Sequence, residues 1–181
     1  MFKTTVEDPN YHFDGGATGR GIKISYKDVH DKILAVVERN NGQNITTTYA
    51  YDQTGAKTTQ TDAKNNKVAW VFDAAGRPTS RTLPDGQKES FEYDLQGQLT
   101  AHTTFGGQRI TFSYDSAGRQ TSRIVAATAA TPARGAQFSY NADGQRASHA
   151  ESGATSAQGN TSYGYDAQGR LIQLVTPQGT L

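Results

Sequence analysis

The sequence has no cysteine. Disulfides, a thiolate nucleophile and any zinc site built on Cys are therefore excluded. Large apolar side chains are scarce, with Leu, Ile, Val and Phe together numbering 29 of 181 residues. That is about 16%, below the roughly 20% at which composition starts to suggest disorder. Such disorder also requires strong net charge, and the formal net charge here is +1. A charge so near zero gives no electrostatic reason to expect nucleic acid or an anionic membrane as a partner. No apolar run approaches membrane-spanning length. The opening Met1-Phe2-Lys3-Thr4-Thr5-Val6-Glu7-Asp8 has no apolar signal-peptide core. If the protein leaves the cell, the export signal is not in this chain or the route uses none.

What the chain does have is Tyr, Phe and Gly at regular intervals, and many Thr, Gln and Ser. This composition fits short strands joined by many turns, around a thin, aromatic-rich core. A phrase of aromatic, Asp (Asn once), two variable residues and Gly occurs six times. The copies are Tyr51-Asp52-Gln53-Thr54-Gly55, Phe72-Asp73-Ala74-Ala75-Gly76, Tyr93-Asp94-Leu95-Gln96-Gly97, Tyr114-Asp115-Ser116-Ala117-Gly118, Tyr140-Asn141-Ala142-Asp143-Gly144 and Tyr165-Asp166-Ala167-Gln168-Gly169. Their glycines step by 21, 21, 21, 26 and 25 residues. A fixed period of this size marks a repeat architecture.

A second bulky residue sits two positions before each aromatic, giving Tyr49/Tyr51, Trp70/Phe72, Phe91/Tyr93, Phe112/Tyr114, Phe138/Tyr140 and Tyr163/Tyr165. Residues i and i+2 of a strand share a face, so each pair predicts a half-buried strand. Asp-x-x-Gly then predicts a turn, in which the Asp side chain accepts backbone N–H groups and Gly takes a left-handed conformation. The result is a hairpin with a bulge after the turn. A Thr/Ser-rich second strand follows, as in Pro78 to Leu83 or Gln98 to Thr103. Pro84-Asp85-Gly86, Phe105-Gly106-Gly107 or Lys64-Asn65-Asn66 closes the unit. Two strands and two short turns account for about 20 residues. The long steps reflect small-residue insertions at Val125 to Gly135 and Glu151 to Asn160.

The N-terminal third matches less well. Tyr11-His12-Phe13-Asp14 repeats the aromatic spacing, but Gly19 comes too late. Ile24 and Tyr26 sit two apart without a turn glycine. Ile33 to Arg39 and Ile45 to Tyr51 read as a hairpin around Asn41-Gly42, although Lys32 to Glu38 also admits a short helix. The expected organisation is diverged repeats or strands over 1–48 and six repeats over 49–181, in one continuous repeat domain. The end at Pro177-Gln178-Gly179, where a further unit would start, is expected of a piece of a longer array.

These phrases resemble the RHS/YD-repeat family, whose pattern is close to Tyr-Asp-x-x-Gly-Arg-Leu. Tyr114-Asp115-Ser116-Ala117-Gly118-Arg119 and Tyr165-Asp166-Ala167-Gln168-Gly169-Arg170-Leu171 match it closely, and Phe72-Asp73-Ala74-Ala75-Gly76-Arg77 with an aromatic swap. Pro84-Asp85-Gly86 is also typical. The resemblance covers Tyr49 to Leu181 well and the first third loosely. It implies an all-β chain of consecutive antiparallel hairpins of about 21 residues, forming a curved meander that is part of a spiral shell. In the family's bacterial toxins, which include toxin complexes and type VI secretion effectors, such a shell encloses a C-terminal toxic domain. The implied partners are further RHS repeats and a toxin domain of the same or a neighbouring chain. Self-cleaving members carry Asp-Pro-x-Gly at the end of the shell. Here Asp8-Pro9-Asn10-Tyr11 supplies only the first two residues, at the other end.

The same residues admit chemical readings that the spacing does not favour. Asp52, Asp73, Asp94, Asp115 and Asp166 each belong to a separate turn, whereas a glycosidase pair needs two carboxyls on one cleft. Arg77, Arg119 and Arg170 follow the turn glycine, where they can stack on aromatics, pair across strands or line up as an anion-binding row. His12, His30, His102 and His149 share no metal-ligand spacing. Gly15-Gly16-Ala17-Thr18-Gly19-Arg20 lacks the Lys-Ser/Thr of a phosphate loop. The motif residues are expected to be structural, with no catalytic residue, cofactor or metal. The expected function is a non-catalytic shell segment that helps to encapsulate or deliver a toxin domain. The alternative is an extracellular carbohydrate-binding or adhesion module, with glycans on exposed aromatic platforms.

Overall fold

The computed structural model describes residues 2–6, 22–40, 43–153 and 159–180. Tyr11 to Asp14, Gly15 to Arg20 and Asn41-Gly42 lie outside the described residues. The chain divides into two compact units, residues 1–88 and 89–181. Every regular element among the described residues is a strand. The first unit holds β1 (Phe2–Val6), β2 (Ile22–Lys27), β3 (Ile33–Asn40), β4 (Gln43–Tyr51), β5 (Lys57–Thr61), β6 (Lys67–Phe72) and β7 (Pro78–Thr82). The second holds β8 (Lys88–Tyr93), β9 (Leu99–Thr103), β10 (Arg109–Tyr114), β11 (Gln120–Val125), β12 (Arg134–Tyr140), β13 (Arg146–Ser152), β14 (Asn160–Tyr165), β15 (Leu171–Thr176) and β16 (Gly179–Thr180). Within each unit every strand pairs antiparallel with the next in sequence. The all-β hairpin meander expected from the period is the observed fold. Lys32 to Glu38 takes the strand option.

The meander forms because aromatic and β-branched residues alternate with small or polar ones. All twelve residues of the six aromatic pairs are half-buried, while Ala50, Val71, Glu92, Ser113 and Ser139 between them are exposed. The core is as thin as the composition implies. Among the described residues the buried apolar side chains are Val36, Ala101 and Val125. Hydrophobic burial therefore contributes little per strand, and backbone pairing, turns and cross-strand contacts carry more of the load.

Each aromatic-Asp phrase ends its strand in the same way. The Asp N–H donates to the carbonyl four residues on, and the residue at the third position after Asp returns an N–H to the Asp carbonyl, as in Asp115→Arg119 (2.9 Å) and Gly118→Asp115 (2.9 Å). One extra residue then enters the returning strand. Tyr114 faces Gln120 and Ser113 faces Ser122, which leaves Thr121 as a β-bulge. The same shift recurs after Asp52, Asp73, Asp94, Asn141 and Asp166. The turns at the other end, Asp62 to Asn66 and Thr104 to Gln108, have the same backbone bonds but keep register.

A seventh copy of the bulged turn lies at Asp28, where the sequence showed neither glycine nor aromatic in place. Asp28 N–H donates to the Lys32 carbonyl (2.9 Å) and Asp31 N–H to the Asp28 carbonyl (3.2 Å), with Leu34 as the bulge. Asp31 stands where the other copies have Gly, at φ 66°. The register puts Lys27 and Ser25, not Tyr26 and Ile24, in the aromatic positions.

Gly76 and Gly118 have φ of 78° and 77°, a region costly for side chains with a Cβ and worst for β-branched ones. Asn65 occupies the equivalent place at φ 64°. Gly76→Val is expected to destabilise the chain by about 1–3 kcal/mol and Gly76→Asn by clearly less, as read from thermal unfolding by circular dichroism. Equal melting of the two variants would contradict the left-handed assignment.

Candidate functional site

The side chains at these turns make a recurring set of contacts within each unit. The Oδ1 atom of Asp28, Asp52, Asp73, Asp94, Asn141, Asp115 and Asp166 accepts the N–H four residues on, at 2.8–3.0 Å. At Asp28, Asp52, Asp73, Asp115 and Asp166 it also accepts the N–H two residues on, at 2.8–3.0 Å. Backbone N–H donation holds the carboxyls of Asp28, Asp73, Asp115 and Asp166 below their ordinary value, while at Asp52 the Thr54 hydroxyl is the main cause. A general acid needs the opposite shift. Asp62 belongs to the register-keeping set and is lowered chiefly by the Asn66 side chain.

Four of the tyrosines that open these turns reach back to the preceding hairpin. Tyr51, Tyr114, Tyr140 and Tyr165 donate their hydroxyls to the carbonyls of Ile33, Leu99, Gln120 and Arg146, at 2.8–3.0 Å. Each of these carbonyls belongs to the fifth residue after the preceding turn's Asp or Asn. The adjoining ladders stop short of it, at Ala35↔Thr48, Ala101↔Thr111, Ser122↔Gln137 and Ser148↔Ser162. The hydroxyl thus satisfies a carbonyl beyond the last inter-strand pair. Burial pushes the Tyr51 and Tyr114 phenols up, so they stay protonated as donors.

At several turns the fourth residue after the Asp or Asn points forward. Lys32 lies over the Tyr51 ring and Arg119 over the Tyr140 ring, at 5.6 and 4.7 Å from the centroids. Gln145 donates to the Gly169 carbonyl at 2.8 Å. A Cβ on Gly118 would lie 2.8 Å from Gln98 Nε2, and one on Gly169 3.0 Å from Gln145 Nε2. Turn glycines therefore serve both the left-handed backbone and the approach of the preceding turn's side chain.

This geometry can be set beside known proteins. The family model described as RHS Repeat matches residues 72–109 and 140–181. These two stretches carry RHS repeats. A crystal structure of TcdB2-TccC3-Cdc42 is similar at 20% identity and TM-score 0.66, over 86% of this chain and 9% of that one. TcdB2-TccC3 without its hypervariable C-terminal region gives 19% identity, TM-score 0.66 and the same coverage. At such identities the likeness is one of fold, and the chain spans 9% of the length of these structures. No curated protein matches the sequence.

Arg77, Arg119 and Arg170 do not form a free cationic row. Each places Nε 2.7 Å from Oδ2 of its own turn's Asp. Exposed pairs like these contribute little to stability, and their effect is to orient the guanidinium. Several aromatic faces are occupied as well. Phe91 stacks on His102 and Phe138 on His149, at 4.7 and 5.2 Å between centroids. Arg146 lies 4.6 Å from the Phe138 centroid. His102 Nε2 also meets Glu89 at 3.2 Å, and His149 Nε2 meets Glu151 at 3.5 Å. His30 is exposed in the Asp28 turn and His12 lies outside the described residues. Among the described residues no group of three or more potential metal ligands comes together, and no helix is long and apolar enough to cross a membrane. An exposed bidentate pair, Arg109 to Glu92 at 2.6 and 2.9 Å, links β8, β9 and β10 from the other face.

One joint departs from the rule. Phe72 has no hydroxyl for the Lys57 carbonyl, and Ala56 is too short to reach Gly76, near which a Cβ would meet nothing within 4 Å. Lys57 Nζ instead lies 5.5 Å from the Tyr49 centroid and 4.7 Å from that of Trp70. Phe72→Tyr is expected to stabilise the chain, and Tyr114→Phe to destabilise it, each by about 0.5–1.5 kcal/mol in urea unfolding.

Acid should also loosen the turns. The lowered carboxyls stabilise the fold above their unfolded value near 3.9, and this contribution is lost as pH falls through the lower folded values. The melting temperature should therefore hold down to about pH 4 and drop below it. Asp115→Asn, which retains an acceptor as Asn141 does, should show a shallower drop.

Proposed function

We propose that this chain is a non-catalytic wall segment of an RHS/YD shell that helps to encase or deliver a toxin domain of the same or a neighbouring chain. The observation that carries the reading is the nearest-neighbour ladder, in which each turn's polar groups are engaged by its own backbone or by the adjacent hairpin. Such a construction uses its motif residues to fasten a wall and leaves the turn carboxylates committed to N–H groups. The toxin part rests on the family resemblance, as does a location outside the producing cell. The Tyr/Phe, Asp/Asn and Gly residues of the six copies, with Arg77, Arg119 and Arg170, are assigned structural roles. Recurrence of the same turn from Asp28 to Asp166 supports treating residues 1–48 as diverged repeats continuous with the six in 49–181. The occupied aromatic faces give the glycan-binding alternative no support.

Expressed within the polypeptide that carries it, this segment should keep an enclosed domain resistant to trypsin. Deleting residues 94–114, one whole repeat, should leave a folded protein whose enclosed domain is digested. Equal digestion before and after deletion would refute enclosure. Hydrolytic activity in the purified chain that disappears on Asp115→Asn would refute the non-catalytic assignment.

A further inference from the structure

The RHS period breaks first between Gly118 and Gly144, where the step is 26 instead of 21. The added residues join β11 to β12 in an ordered loop. Thr128 N–H donates to the Thr131 carbonyl (2.8 Å), and Thr128 Oγ1 accepts the N–H groups of Ala130 and Thr131 (3.2 and 3.0 Å). The locked loop brings Thr131 and Pro132 to the rim of a cavity of about 400 Å³, within the size range of small-ligand sites.

The wall of this cavity is unusual for the chain. Arg123 pairs with Ala136 and Val125 with Arg134 across β11 and β12. Residues paired or two apart share a face, so the two arginines sit on one face as diagonal neighbours, about 7–8 Å apart in such ladders. Both are exposed. Arg77, Arg109, Arg119 and Arg170 pair with carboxylates, and Arg146 lies over a ring. Arg123 and Arg134 have no ion pair, side-chain hydrogen bond or ring partner among the described residues. Two like charges this close favour an anion. Glu151 also lines the cavity, but its carboxylate turns to His149 at 3.5 Å. Ala136 forms the floor where the equivalent positions of earlier repeats hold Val68, Glu89 and Ile110. Buried Val125, with Pro132, adds an apolar side.

We propose that this cavity binds a small organic anion, its carboxylate or phosphate head held by Arg123 and Arg134 and its short apolar body against Val125, Ala136 and Pro132. The site is independent of the shell role, and either can fail alone. The test titrates the full chain at low ionic strength with inorganic phosphate and, separately, with butyrate, following backbone amide shifts by NMR. Saturable shifts confined to 123–136 and 151–153 are expected. In the Arg123→Gln/Arg134→Gln double variant affinity should fall at least tenfold, while Arg109→Gln should bind as the parent does. Ala136→Leu, which fills the floor and keeps both charges, should lose butyrate. Response to phosphate alone, or to butyrate alone, identifies the head group. Response to neither, equal binding by the double variant, or undiminished butyrate binding by Ala136→Leu would overturn the proposal.

Discussion

One oxygen atom per hairpin sets the rest of this structure. The Oδ1 of Asp, or of Asn141, takes backbone N–H groups that a tight reversal would otherwise leave without a partner. With these satisfied, the chain reverses within five residues and the extra residue of the bulge can be accommodated. The bulge then aims the returning strand and ends its ladder with the next strand two residues early. The tyrosine hydroxyl is useful because that gap exists. Remove the first acceptor and the carbonyl met by Tyr140 or Tyr165 has no fixed position.

A chain with so few buried aliphatic side chains cannot rely on a thick core. It relies on contacts that repeat. The turn bonds are local, while the hydroxyl and the forward-reaching Lys, Arg or Gln join one hairpin to the next. Each such bond is worth on the order of 1 kcal/mol, and the surface ion pairs less. Strength comes from number and periodicity, as in other linear repeats.

The fold was legible because the aromatic spacing, Asp and Gly each point to the same local geometry. Strand limits for the second strands fell within a residue of those expected, as at Pro78–Thr82. The Asp28 turn escaped notice because Asp31 takes the left-handed position and Lys27 the aromatic one, so both signals were absent while the hydrogen bonds persisted. The turn at Lys64-Asn65-Asn66 was read, but its capping by Asp62 was not, since Asn65 rather than Gly takes the left-handed position. The tyrosine links could not be read, since they join residues 15–20 apart and depend on where a ladder stops. Arg119 was legible as a stacking or pairing residue, but its choice of Asp115 and of the next repeat's Tyr140 required the bulge geometry. Arg123 and Arg134 carried no signal in the repeat phrase, because their pairing depends on an insertion that breaks it.

Among the described residues the tyrosine hydroxyls and fourth-position side chains tie a hairpin to its immediate neighbour within a unit, and no single contact acts as a keystone. Whole units can be duplicated or lost by recombination without redesigning distant residues, provided the hydroxyl of the incoming unit finds a waiting carbonyl. The length of the sheet becomes a matter of copy number, adjustable over evolutionary time one hairpin at a time.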